Sequence, residues 1–328
     1  MPISANLAGK LTLPVIGSPM FIVSGPELVL AQCQAGIVGT FPALNARPVE
    51  ELEVWLTRIK TDLAAYQAAH PAAKVAPFGV NLIVHPSNER LEQDLEMVVR
   101  HEVPVIITSL KAPERAVLDS VHRYGGVVFH DVINVRHARK AAEAGVDGLI
   151  LVCAGGGGHA GRMSPFALIP EVREFFGGVI ILAGAISDGC GVLSALAMGA
   201  DLAYLGTRFI ATQEANAVPE YKRMIVESSA EEVVYTDLFS NIHANYLSRS
   251  VRNAGLDPNN LPPSEKGKSG FKSAGGERHK VWKDIWGAGQ GVGAIQDIPT
   301  TAELVARMRQ EFAACRSKLA GLDYAPDQ

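Results

Sequence analysis

The sequence is short of cysteine, of aromatic side chains and of charge, and each shortage excludes something. Its 328 residues include four cysteines, Cys33, Cys153, Cys190 and Cys315. They are far apart and form no C-x-x-C pair, so neither a zinc site nor a disulfide framework is expected, and no metal is predicted. Such usage suits a reducing cytosol. Charged residues make up 20% of the chain and the net charge is -4, which gives no electrostatic footprint for nucleic acid. No apolar run approaches the ~20 residues that cross a bilayer. Residues 1–10 lack the charged-then-apolar order of a signal peptide, so a cytoplasmic location without a membrane partner is the expectation. A G-x-G-x-x-G after the first strand is also missing, which counts against an open dinucleotide-binding sheet.

What the chain does have is 48% hydrophobic residues, enough at this length for a large core. They fall into short apolar runs at 13–20, 36–41, 78–83, 103–109, 126–131, 146–152, 178–185 and 201–209. Between them, 27–35, 48–69, 88–101, 112–123, 135–144, 165–176 and 191–198 read as helices. Eight such repeats predict an α/β fold, a (β/α)8 TIM barrel. From 214 to 296 the character changes to a stretch rich in asparagine, glycine and proline, with a basic piece carrying Lys266, Lys268, Lys272, Arg278 and Lys280. That is too long for a plain connection. It is expected to be an inserted, mainly helical lid segment on a barrel built from 1–213 and 297–328. A final helix over 300–319 opens with Thr300 and Glu303 in capping-box spacing.

Barrel enzymes carry their chemistry at the C-terminal ends of the strands, and phosphates often bind after strands seven and eight. Those two ends hold Ala183, Gly184, Ala185 and Ser187, and Leu205, Gly206 and Thr207. Glycines let backbone N–H groups approach a phosphate and the hydroxyls add donors, so a phosphorylated ligand is expected. After the sixth strand come four glycines, Gly155 to Gly158, and then His159. Bare backbone there suits a flat or anionic group with a histidine beside it. Ser18, Pro19 and Met20 end the first strand and Asn81 ends the third as its lone amide. His130 and Asp131 end the fifth, where His130 reads equally as a site residue or as a buried core group. An amide, strand-end backbone and a glycine floor suit a flavin. Trp282 and Trp286 are spaced to share one helical face, either over such a ring or packing the lid, and Tyr235, Tyr246 and Arg249 are further lid side chains.

Taken together, Pro14-Val15-Ile16-Gly17-Ser18-Pro19-Met20, Phe78-Gly79-Val80-Asn81-Leu82, Gly157-Gly158-His159-Ala160-Gly161 and Gly199-Ala200-Asp201-Leu202-Ala203-Tyr204-Leu205-Gly206-Thr207-Arg208-Phe209 resemble the nitronate monooxygenase family. The likeness runs from about residue 11 to 212, with a weaker match at Trp286-Gly287-Ala288-Gly289-Gln290. It implies an FMN-dependent barrel oxidoreductase with His159 as the catalytic histidine. It also implies FMN contacts at Ser18, Pro19, Met20 and Asn81, a floor at Gly157 and Gly158, and phosphate positions at Gly184, Ala185, Gly206 and Thr207, flanked by Ala183 and Leu205. The implied reaction oxidises alkyl nitronates, such as propionate 3-nitronate, with O2 to a carbonyl compound and nitrite.

The chain departs from the family pattern in three places. Ala185 replaces a usual glycine, His130 stands where some relatives carry lysine, and glycine replaces an acidic residue often found before the histidine. An alternative is an NAD(P)H-dependent FMN reductase acting on quinones or enoyl thioesters, with the basic piece attracting the nucleotide. A third is a flavin-free barrel acting on a phosphorylated metabolite. Apolar surface on the lid leaves a homodimer open.

Overall fold

A computed structural model of the chain describes residues 7–262, 264 and 282–322. In chain order the barrel strands and helices are β1 (Val15–Gly17), α1 (Pro26–Gln34), β2 (Gly39–Pro42), α2 (Glu51–Ala69), β3 (Phe78–Val84), α3 (Leu91–Arg100), β4 (Val105–Leu110), α4 (Arg115–His122), β5 (Val127–Val132), α5 (Val135–Ala144) and β6 (Gly148–Val152). Then follow the two-residue β7 (Gly158–His159), α6 (Pro165–Arg173), β8 (Val179–Ala183), α7 (Gly189–Ala197), β9 (Leu202–Leu205) and the short α8 (Thr207–Ile210).

All strands but β7 form one parallel sheet in the order β1-β9-β8-β6-β5-β4-β3-β2. A parallel bridge between Ile16 and Val38 joins its ends, with Gly17 N–H donating to the Val38 carbonyl at 2.8 Å. The sheet thereby closes into the predicted barrel. The eighth run ends sooner than its apolar pattern suggests, because Gly206 turns the chain into α8.

The two-residue period of a strand sorts the barrel side chains. Ile16, Ile107, Phe129, Ile181 and Leu202 fill the interior, while Val80, Ile106, Val128, Ile180 and Ala203 pack outward beneath the helices. The inward set continues up the barrel to Ser18, Ser109, Asp131, Ala183 and Tyr204, all of which line a cavity at the mouth. Local signals fix the helix starts. The Asn134 side chain accepts from His137 N–H to cap α5, and Asp188 accepts from Gly191 N–H to cap α7. The final helix, α11 (Thr301–Ala320), opens with the expected capping box of Thr300 and Glu303.

The stretch 214–296 contributes helices α9 (Pro219–Glu227) and α10 (Ser248–Asn253), and also two strands, β10 (Val233–Thr236) and β11 (Ala244–Leu247). These pair antiparallel and extend onto β7, with Ala244 opposite His159 and Asn245 opposite Gly158. The insertion is therefore tied to the glycine loop by a ladder. Trp282 and Trp286 do not share a helix. Trp282 sits at φ 69°, and the chain after it bridges Tyr246 through Gly287. The basic residues Lys266, Lys268, Lys272, Arg278 and Lys280 lie outside the described residues. Among the described residues, no helix is long and apolar enough to cross a membrane and no cluster of side chains suits a metal ion.

Candidate active site

A cavity of about 640 Å³ opens at the C-terminal mouth of the barrel. One wall is the glycine loop after β6, held by the stretch around Gly289. Gln290 N–H donates to the Gly155 carbonyl at 2.9 Å, the Asn245 amide to the Gly156 carbonyl at 2.6 Å, and Gly289 N–H to Thr207 Oγ1 at 2.9 Å. The approach is too close for side chains. A Cβ on Gly157 would lie 2.8 Å from both Gly289 N and Thr207 Oγ1, and one on Gly206 would lie 2.6 Å from Ser18 Oγ. Packed against the glycine loop, Gly184 and Ala185 both have positive φ, 139° and 53°. The bulkier residue noted at 185 thus occupies a left-handed conformation that glycine adopts with less strain.

His159 lies on the same wall. Its Nε2 is 3.0 Å from Ser240 Oγ, its ring meets Trp282 edge to face at 5.4 Å, and Trp282 in turn stacks on Tyr246 at 5.3 Å. The Ser240 hydroxyl donates to the Ile242 carbonyl at 2.9 Å. With its single hydrogen so used, Ser240 accepts from His159, which puts the imidazole proton on Nε2 and leaves Nδ1 as the basic nitrogen. Desolvation by the surrounding protein lowers the His159 pKa from its usual value, and the residue itself is exposed at the cavity mouth, so the neutral ring is the favoured form at pH 7.

Across the cavity, the ends of β3, β4 and β5 form a polar relay. Asn81 Nδ2 donates to the Ile107 carbonyl at 3.2 Å and to Ser109 Oγ at 2.7 Å, and Ser109 Oγ donates to Asp131 Oδ2 at 2.5 Å. Burial raises the Asp131 carboxyl to about pKa 6, against the lowering effect of the Ser109 bond. Burial, and then the Asp131 charge, hold the nearby Tyr204 phenol well above its usual value.

A family model for nitronate monooxygenase matches residues 5–311, nearly the whole chain. The chain belongs to the nitronate monooxygenase family. It is an enzyme of a flavin-dependent oxidoreductase group. It is 27% identical to a nitronate monooxygenase of Neurospora crassa over 90% of this chain and 88% of that one. It is 26% identical to one of Paraburkholderia phytofirmans, covering 91% and 92%. A (3aS,4S,5R,7aS)-5-hydroxy-7a-methyl-1-oxo-octahydro-1H-indene-4-carboxyl-CoA dehydrogenase of Mycobacterium tuberculosis is 30% identical over 68% of this chain and 59% of its own length. In fold, the chain is similar to a nitroalkane oxidase of Streptomyces ansochromogenes, with a TM-score of 0.76, 24% identity and coverage of 96% and 100%. It also resembles FabK of Thermotoga maritima, with a TM-score of 0.74, 24% identity and coverage of 95% and 96%.

Of the residues singled out in the sequence, Ser18, Pro19, Met20, Asn81, Gly157, Gly158, His159, Ala183, Gly184, Ala185, Gly206 and Thr207 meet in this one cavity. Two of the expected cofactor-contact residues, His130 and Leu205, do not reach it. His130 is 3% exposed on the outer face of β5, with Nδ1 2.8 Å from Thr108 Oγ1, and burial pushes its pKa down to about 4. It is a satisfied core histidine, out of phase with its cavity-facing neighbour Asp131. Leu205 is likewise an outward-packed core residue, and its carbonyl is taken by Ser18 N–H.

The hydroxyls also differ. Ser187 donates to the Gly291 carbonyl, whereas Thr207 accepts from Gly289 and retains its own hydrogen for a ligand. Trp286 stacks on Tyr221 at 5.0 Å, Tyr235 donates to the Ala160 carbonyl, and Arg249 pairs with Glu227 and Glu232, so all three brace the insertion. Ser109 was missed, Asp131 was noted at its strand end without a role of its own, and Ser240 was missed. The strand period points to the first two, and no local pattern marks the third.

Proposed function

We propose that the protein is an FMN-dependent nitronate monooxygenase, oxidising alkyl nitronates such as propionate 3-nitronate with O2 to a carbonyl compound and nitrite. The observation that carries this reading is His159, held in one neutral tautomer beside a side-chain-free floor within the family's barrel. The cavity suits the cofactor. Gly157 and Gly206 let the backbone of the floor pack closely against Gly289 and Ser18, the lining is mainly apolar, and its polar groups, Ser18, Asn81, Ser109 and Thr207, lie at strand ends as a flat heterocycle with a phosphate tail requires. In this reading Ser18, Pro19, Met20 and Asn81 border the ring, Gly157 and Gly158 lie beneath it, and Gly184, Ala185, Gly206 and Thr207 hold the phosphate. When bound, FMN supplies the redox couple between the nitronate and O2.

The chain's own residues do the rest. His159 Nδ1 takes the α-proton of a neutral nitroalkane, and once protonated the imidazolium balances the anion so formed. Trp282, backed by the buried Tyr246, walls the site on the side of the insertion. The stretch 214–296 is accordingly the lid subdomain of a barrel made of 1–213 and 297–328.

The test is the absorbance spectrum of the purified protein, followed by anaerobic additions of propionate 3-nitronate and, separately, of NADH or NADPH. A yellow protein bleached by the nitronate and not by the nucleotides supports the proposal. Bleaching by a nucleotide alone makes it a reductase whose acceptor is then sought among quinones and enoyl thioesters. A colourless protein that FMN cannot reconstitute overturns both readings.

A further inference from the structure

Cys190 and Cys315 are far apart in the sequence, and the fold sets them on two helices that pack together, Cys190 in the first turn of α7 and Cys315 in α11. Two hydrogen bonds fix the register of those helices. Gly189 N–H donates to Glu311 Oε2 at 2.8 Å, and the Cys190 thiol donates to the Glu311 backbone carbonyl at 3.8 Å. The approach is close because residue 189 is glycine: an added Cβ there would collide with the Met308 carbonyl oxygen and the Phe312 nitrogen.

Residues four apart on a helix share a face, so Cys315 stands one turn beyond Glu311 on the face that α7 covers. The two sulfurs meet there. A hydrogen bond with the Cys315 side chain, then burial, then the Cys315, Asp188 and Glu311 charges push the Cys190 thiol up to about 11, so at rest it keeps its proton. Both cysteines of the pair are partly exposed. Cys33 and Cys153 are instead sealed in the core, where burial pushes each thiol up to about 12.

We propose that Cys190 and Cys315 are a reversible oxidation site that closes to a disulfide when the protein meets a peroxide. Access and a neighbouring second thiol are what select a cysteine for this chemistry, and only this pair has both among the described residues. One sulfur attacks the peroxide O–O bond and becomes a sulfenic acid, and the departing oxygen leaves as water. The second sulfur then attacks the first, which forms the S–S bond and releases a second water. Two electrons pass from the sulfurs to the peroxide, so two thiols and one hydrogen peroxide give one disulfide and two waters. An added dithiol reverses the change by exchange. The bond staples α11 to the start of α7, directly after the loop that carries Gly184 and Ala185, and it closes a long loop of chain. The site goes beyond the nitronate reading and does not depend on it.

The experiment treats reduced full-length protein, freed of reductant, with hydrogen peroxide and then alkylates the remaining thiols. Titratable thiols in denaturant should fall from four to two, with the protein still running as a single chain on a non-reducing gel. Digestion without reductant should give one cross-linked peptide pair, carrying Cys190 and Cys315, and dithiothreitol should restore all four thiols. The closed form should melt roughly 5 °C or more above the reduced one. Cys190→Ser and Cys315→Ser should each abolish both the cross-link and the shift.

Four thiols after treatment, a cross-link between separate chains, or oxidation that stops at a sulfinic acid on one cysteine overturns the assignment. So does a melting shift that persists in both serine variants. None of these readouts uses flavin or substrate, so failure of the nitronate reading leaves them unchanged.

Discussion

His159 Nε2 lies 3.0 Å from Ser240 Oγ, across 81 residues of sequence, and the serine hydroxyl lies 2.9 Å from the Ile242 carbonyl. The carbonyl oxygen can only accept, so the direction of both bonds is set and with it the imidazole tautomer. In the proposed function, a loop at the end of a barrel strand supplies the base, and the insertion supplies the group that orients it. The Tyr246 hydroxyl, 3.4 Å from Ser240, and the Trp282 ring complete the surroundings.

Ser240→Ala removes the acceptor that holds the Nε2 proton. For a neutral nitroalkane, whose α-proton must leave, kcat/KM should fall about tenfold to a hundredfold with bound flavin unchanged, because general-base catalysis contributes roughly 10²–10⁴ and only part of it is lost. A preformed nitronate needs no such proton transfer and should be oxidised at nearly the wild-type rate. Ser240→Thr should restore most of the nitroalkane activity. Equal losses on both substrates would show that Ser240 only supports the fold of the insertion.

His159→Asn tests the base itself. Turnover of nitroalkanes should drop by about 10²–10⁴, while the flavin content and visible spectrum stay those of wild type. The floor of the cavity, which is backbone, does not depend on the imidazole. Loss of the flavin in this variant would reassign His159 to cofactor binding.

The barrel was legible because its strands are buried on both faces and read as short, nearly continuous apolar runs. The same continuity hid which polar residue faces the interior. His130 and Asp131 are adjacent, and polarity alone picks out both. Only the phase of Ile107, Phe129 and Ile181 separates them, and it places Asp131 inside. Ser240 was illegible for a different reason: it lies in a turn between two four-residue strands, too short to carry a period, and its partner is distant in sequence. The four-residue spacing of Trp282 and Trp286 suggested a helix that Gly287 and Gly289 do not continue. Tertiary pairing with Tyr246 decided that stretch instead of local propensity.

Gly157→Ala should cost FMN affinity at least about tenfold, since an added Cβ 2.8 Å from Gly289 N forces one backbone segment to move and displaces the floor. Gly206→Ala, crowding Ser18 Oγ at 2.6 Å, should do the same from the other side. Gly177→Ala is the control, because nothing lies within 4 Å of its new methyl group. Flavin titration of the three stripped variants checks the ranking, and unchanged affinity in Gly157→Ala would remove the glycine loop from the binding site.

The adjacent pair on β5 makes a prediction about acid stability in which the two residues oppose one another. His130 has a folded pKa of about 4 against 6.5 for the free side chain, so its contribution is intact above 6.5 and is lost as pH falls toward 4, when the unfolded chain takes a proton that the folded one refuses. The displacement corresponds to roughly 3 kcal/mol. Asp131 has a folded pKa of about 6 against 3.8, so the folded chain binds its proton the more tightly, and stability is lost as pH rises from 3.8 through 6. Its scale is also roughly 3 kcal/mol, and between pH 4 and 6 the two slopes largely cancel in the flavin-stripped wild type. Substituting one residue exposes the other. His130→Gln, which keeps a partner for Thr108, should gain stability relative to wild type as pH is lowered from 7 to 4.5. Asp131→Asn should lose it over the same range. Urea unfolding of the three stripped proteins at pH 7, 5.5 and 4.5 measures the slopes, and parallel profiles for His130→Gln and wild type would show that His130 is not held neutral in the core.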